Sequence, residues 1–299
     1  MNEADDNNLR GILLMVLAMA GFAIADAFVK VAAAFMSPAQ VLFYLNAGGL
    51  ALFTLLALLR REGLWDRRIF TPALLLRYVS EVVGMVGMVL ALIYVPLSVV
   101  GAVTQAAPLL VAVGAVLFFG ETVGWRRWSA IAVGFVGVML VVQPSGDGFD
   151  VAILWAVMAM VGLSVRDLIT RLTPQGMPST SLAAYTMFFA TPFATAWVLW
   201  NGEPLVPIEA NWLIILPMVS LGSVGYLLLI TSIRMADVSV VTPFRYSRII
   251  FLLALGVLLF GEKPSVTMLT GAALIIASGV YLILRQRQVQ RGAGAGRAG

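Results

Sequence analysis

The chain has 299 residues, 61% hydrophobic and only 11% charged, where a soluble domain carries about 45–50% and about 25%, so an ordinary water-soluble enzyme is excluded. The absence of Cys and His removes structural disulfides, thiolate or imidazole metal sites and the usual neutral-pH proton shuttle, and neither a cofactor nor a metal is expected. The net charge of +4 is a small surplus of 19 basic over 15 acidic residues that membrane orientation explains, and no nucleic acid is needed as a partner.

The N-terminus, MNEADDNNLR, is acidic before the first apolar run, and no small-residue cleavage site follows in the right place, so the first helix is expected to stay. Apolar runs between charged or Gly/Pro-bearing breaks then give ten segments of about span length: 11–30, 38–59, 74–93, 97–119, 128–143, 151–172, 179–200, 212–233, 238–259 and 265–284. Arg60, Arg61, Arg67 and Arg68 fill the second connection, Arg126 and Arg127 the fourth, and Arg285, Arg287, Arg291 and Arg297 the tail. The third, fifth and seventh connections carry no Lys or Arg, which sets both termini in the cytoplasm of a plasma membrane, the inner membrane of a bacterium. Trp65, Trp125, Trp128, Trp200 and Trp212 lie at span ends and read as an interfacial belt. The fold class is thus an all-α polytopic membrane protein whose partners are the lipid bilayer and a small-molecule substrate.

A shift of 141 residues lays GFAIADAFVK over GLSVRDLITR, matching Gly21 with Gly162, Asp26 with Asp167 and Lys30 with Arg171. The same shift matches S-V-V at 98–100 with 239–241 and F-G-E at 119–121 with 260–262. One offset held from the first helix of each half to the fourth describes a duplicated five-helix unit. Five is odd, so the second copy enters the membrane from the opposite side, the inverted repeat of alternating-access transporters. The units are 1–143, 151–284 and a disordered basic tail, 285–299.

The stretch ALIYVPLSVVGAVTQAAPLLVAVGAVLFFGETV with SAIAVGFVGVMLVV, and its looser copy VSVVTPFRYSRIIFLLALGVLLFGE with LTGAALIIASGVYLIL, resembles the EamA unit of the drug/metabolite transporter superfamily over residues 11–284. The resemblance implies ten helices in two inverted repeats and transport of small metabolites, often amino acids. Within the superfamily the chain is most similar to the YddG-type exporters of aromatic and other neutral amino acids. It departs from many relatives at FYLN, 43–46, where they place an Arg, and at Ile249, which stands opposite Pro108.

An ionisable group at mid-bilayer needs a partner or a wet cavity. Glu81 lies about 12 Å into the third span, with Tyr78 on the same face, and Arg245 and Arg248 lie at similar depth in the ninth with Tyr246 between them. Lining one cavity, these groups would take the ammonium and carboxylate of a zwitterion, while as a dry ion pair they would lock the halves. The cavity reading expects Glu81→Gln and Arg248→Gln to spare the fold and cut flux. Thr104 and Gln105 of span four match Arg245 and Tyr246 under the shift, which makes spans four and nine cavity walls. Tyr44 and Asn46 of span two, Tyr185 and Ser164 supply further contacts. Asp26 with Lys30, and Asp167 with Arg171, are spaced i,i+4 and read as interfacial pairs, or as gates at opposite faces. Pro108 and Pro192 interrupt spans four and seven as hinges or static kinks. Gly84 with Gly87, and Gly134 with Gly137, permit close helix packing. Gly120-Glu121 and Gly261-Glu262 read as turn signatures with the Glu facing water.

Together these readings describe a monomeric exporter or facilitator of small zwitterionic metabolites, aromatic and other neutral amino acids foremost. The alternatives are an organic-phosphate or nucleotide-sugar exchanger, which calls for a more basic cavity, and a non-transporting scaffold or receptor. No nucleophile and base set for an enzyme is present.

Overall fold

The computed structural model describes residues 3–63, 66–120, 124–143, 150–170, 172, 177–236 and 238–295. Among them the chain is helical, without strands: α1 (Glu3–Ala32), α2 (Pro38–Leu59), α3 (Pro72–Tyr94), α4 (Leu97–Thr104), α5 (Ala107–Phe119), α6 (Trp125–Val142), α7 (Ile153–Thr170), α8 (Ser179–Asn201), α9 (Ile208–Met235), α10 (Val238–Val241), α11 (Ser247–Phe260) and α12 (Val266–Ala295). Ten spans are long and apolar enough to cross a membrane, the fourth formed by α4 with α5 and the ninth covering Thr242–Phe260. Leu117, Phe118, Leu258 and Leu259 are 62–79% exposed, an arrangement suited to lipid and not to water.

Local chemistry sets the ends. Ser37 accepts a hydrogen bond from the Gln40 amide at 3.3 Å ahead of Pro38, which needs no amide partner of its own. Gly120, Gly202 and Gly261 end α5, α8 and α11 with φ of 64–65°, a left-handed conformation that costs other residues energy. The last helix, α12, runs from Val266 to Ala295. A helix already nucleated in the apolar run propagates one hydrogen bond per residue, which favours extension into the tail.

The packing shows the duplication directly. The first span (α1) lies on the eighth (α9) and the third (α3) on the sixth (α7), while α2 meets α8, α4 meets α11 and α6 meets α12. A two-fold that exchanges the repeats pairs helices in this way. The crossings use related glycines: a Cβ on Gly162 would sit 2.6 Å from the Gly84 nitrogen, and one on Gly21 would sit 3.7 Å from the Gly225 Cα. The 141-residue offset relates Gly21 to Gly162 and Gly84 to Gly225. Gly87 against Ala159 and Gly137 against Gly271 are further backbone approaches. Gly162→Val is therefore expected to lower the thermal midpoint in detergent, since overpacking costs about 1–3 kcal/mol. Gly222→Ala, whose added carbon would find its nearest neighbour at 4.0 Å, should leave the midpoint unchanged.

Candidate functional site

Among the described residues, the charged groups inside the bundle sort into separate clusters, with Glu81 paired to Arg166 and Arg248 to Asp26. Glu81 on α3 accepts from Arg166 Nη1 on α7 at 2.8 Å, and Arg77, one turn earlier on α3, has Nη2 4.0 Å from its other oxygen. Arg77 also donates to Thr170 at 2.9 Å and Thr186 at 2.7 Å, and Arg166 donates to Asp167 at 2.9 Å. Two guanidinium groups and two carboxylates thus balance in a network across α3, α7 and α8. Glu81 and Arg77 on α3 are each 7% exposed, while the Arg166 and Asp167 side chains on α7 are 24% and 36% exposed, so the network is buried on its α3 side and reaches accessible surface on its α7 side. Arg77 and Arg166 were missed in the sequence. Arg77 is four residues before Glu81 and so on its face, a signal that was legible.

Arg248 is held elsewhere. Its Nη2 donates to Asp26 Oδ2 of α1 at 2.5 Å, and its guanidinium carbon lies 5.4 Å from the Phe22 ring centroid. Phe22 and Asp26 are one turn apart on α1, so one helix face supplies both the counter-charge and the flat apolar support. The Arg248 and Asp26 side chains are 19% and 11% exposed. Among the described residues, buried Arg248 Nε, Ser247 Oγ, Tyr246 hydroxyl and Asn46 Oδ1 have no hydrogen-bond partner. A buried donor without an acceptor costs about 1–3 kcal/mol, which marks Arg248 Nε as a group that a solute or water would complete.

Two spans are broken within their length. The fourth span is interrupted between Thr104 and Ala107, next to Pro108, and the ninth passes through a 3-10 turn, Thr242–Tyr246, before α11. The breaks face each other, with Gln105 Nε2 donating to the Arg245 carbonyl at 2.8 Å. Ile249 stands where Pro108 does in the first half, and Pro243 supplies the second interruption instead. Pro192 lies inside an unbroken α8.

Other expected contacts are engaged in packing. The Tyr246 ring occupies the place that a side chain on Gly279 would take, facing α12 and not Arg248. Tyr44 donates to the Val206 carbonyl at 2.5 Å and Asn46 to Leu42 at 2.8 Å. Tyr78 stacks on Phe189 with centroids 4.5 Å apart, beside Tyr185 in an apolar cluster. Ser164 donates to the Met160 carbonyl at 2.6 Å. Asp26 and Lys30 do not pair: Lys30 donates to the carbonyls of Leu92 at 3.2 Å and Val95 at 2.6 Å, at the end of α3. Asp167 pairs with Arg166, its neighbour in sequence, and Arg171 lies outside the described residues, as do Trp65 and Glu121.

Comparison with known proteins agrees with the duplicated helical architecture. Residues 9–143 and 150–285 each match the EamA-like transporter family. A riboflavin transporter of Rhizobium johnstonii is 31% identical over 245 residues, 81% of this chain and 80% of that one. A riboflavin transporter of Vibrio cholerae is 27% identical over 92% of this chain and 93% of its own. The pseudopaline exporter of Pseudomonas aeruginosa is 25% identical over 91% and 95%, and an S-adenosylmethionine uptake transporter of Rickettsia conorii is 25% identical over 69% of each. A crystal structure 18% identical shares the fold, with a TM-score of 0.63 over 95% of this chain and 99% of that one.

Proposed function

Because the chain belongs to the EamA-like transporter family, we propose that it carries a flat heteroaromatic metabolite of the riboflavin kind, recognised between Arg248, Asp26 and Phe22 while the two repeats rock around it. The observation that carries this reading is Arg248: a guanidinium lying on an aromatic ring, paired to one carboxylate and keeping a buried, unused Nε. The imide edge of an isoalloxazine offers two carbonyl acceptors for such a group and one N–H for Asp26, and its plane suits an aromatic and guanidinium stack. The relatives that carry riboflavin support the choice. Both repeats sit in one chain, so one copy forms the whole site and acts as a monomer. The basic connections orient both termini to the cytoplasm of a bacterial inner membrane.

An aromatic amino acid is the second reading, favoured by the two opposite charges of Asp26 and Arg248 at one place, which suit an ammonium and a carboxylate. Counterflow into liposomes holding only the purified chain separates the two. Labelled riboflavin is expected to exchange saturably, with tryptophan and S-adenosylmethionine far slower. Exchange of tryptophan without riboflavin would favour the second reading, and exchange of none of the three would overturn both.

A further inference from the structure

The F-G-E motif that closes α11 does not end in a water-facing acid. The Glu262 carboxylate reaches across the bundle to the start of α4, where it accepts from the Leu97 amide, from the Ser98 amide at 3.0 Å and from the Ser98 hydroxyl at 2.7 Å. Gly256 makes the room, since a Cβ there would sit 2.4 Å from Glu262 Oε2. The residue preceding α4 is Pro96, which has no side-chain acceptor to cap it, so the positive end of α4 is completed from the other repeat.

The α3 to α4 turn is gripped on its other side as well. Lys30 of α1 sets its ammonium on the Leu92 and Val95 carbonyls, the negative end of α3, and lies 5.6 Å from the centroid of the Phe260 ring. A cation on the C-terminal end of one helix and an anion on the N-terminal end of the next match both dipoles of a single tight turn. Lys30 holds that turn from within the first repeat. Glu262 holds it from the second, and its three hydrogen bonds survive only while the repeats stay together at this end of the bundle.

We propose that Glu262 is the catch of a gate at the bundle end opposite the chain termini, joining the turn after α11 to the α3–α4 turn, and that the pathway opens there only when the catch releases. It pairs the two motifs that the duplication repeats, F-G-E from one half with S-V-V from the other. The device serves any solute, and its test uses none, so it stands or falls apart from the substrate proposed above.

Ala102 lies one turn past Ser98 on the same face of α4 and is fully buried. Ala102→Cys gives a single reporter thiol in a chain that has none. Its labelling by a membrane-impermeant methanethiosulfonate is read in sealed vesicles of both orientations. Glu262→Gln is expected to raise the labelling rate from the face opposite the termini about tenfold or more, because charge-assisted acceptor bonds are lost. Ser98→Ala, which removes one contact and keeps both amides, should raise it less and in the same direction, and it carries the test if the first variant does not fold. Labelling from the terminal face should not rise. Unchanged labelling in a folded variant with only a lower thermal midpoint would make Glu262 a static cap and overturn the proposal, as would an equal rise from both faces.

Discussion

Glu81→Ala is expected to abolish most of the monodisperse protein recovered in detergent, rather than to yield a folded transporter with weakened flux. Glu81 holds Arg166 at 2.8 Å and faces Arg77 at 4.0 Å, in a position only 7% exposed. Deleting the carboxylate leaves both guanidinium groups in the bundle with Asp167 as their remaining acid. Breaking a buried pair from one side costs about 3–5 kcal/mol, a large share of the roughly 5–15 kcal/mol that holds a typical domain. The network joins α3, α7 and α8, so the loss loosens a crossing between the repeats and not one side chain. Size-exclusion profiles after graded heating check the prediction. A midpoint within about two degrees of the parent would show that the cluster hydrates freely, and Glu81 would then not hold the crossing together.

Much of this architecture is legible in the sequence because it follows from one-dimensional quantities. Span positions follow from runs of apolar residues, and the duplication from a single offset that the Gly21 to Gly162 and Gly84 to Gly225 relation then makes physical. The break of the fourth span is visible as Pro108. Charge partners are harder, because counting residues into a span gives depth and not direction around the helix. Glu81 and Arg248 share a depth by that count, yet one faces α7 and the other α1. Asp26 and Lys30 satisfy the i,i+4 rule and still choose separate partners, since each has a stronger tertiary one in reach. Glu262 shows the same limit in another form. Its Gly-Glu context reads locally as the end of a helix, whereas the groups it caps are 164 and 165 residues away.

Arg248→Lys is expected to cut metabolite flux by about 10–100-fold while leaving the fold intact. Lysine keeps a cation beside Asp26, so no buried carboxylate is stranded. It loses the rigid planar fork and the stacking on Phe22, which are the features that recognition of a flat solute uses. A charge-assisted hydrogen bond in a desolvated site contributes about 1.5–3 kcal/mol, and each 1.4 kcal/mol is a factor of ten in affinity. The contrast with Glu81→Ala is the informative part. One variant should lose the protein and keep no assay, the other should keep the protein and lose the solute.

The binding centre is tested most directly by ligand-dependent thermal stabilisation of the purified chain and of Arg248→Lys side by side. A solute that binds the folded state raises its midpoint in proportion to the logarithm of its concentration over its dissociation constant. Saturating riboflavin is expected to raise the midpoint of the parent chain and to leave that of Arg248→Lys unmoved, with the two midpoints equal in its absence. An equal rise in both proteins would place the solute away from Arg248, Asp26 and Phe22 and contradict the account.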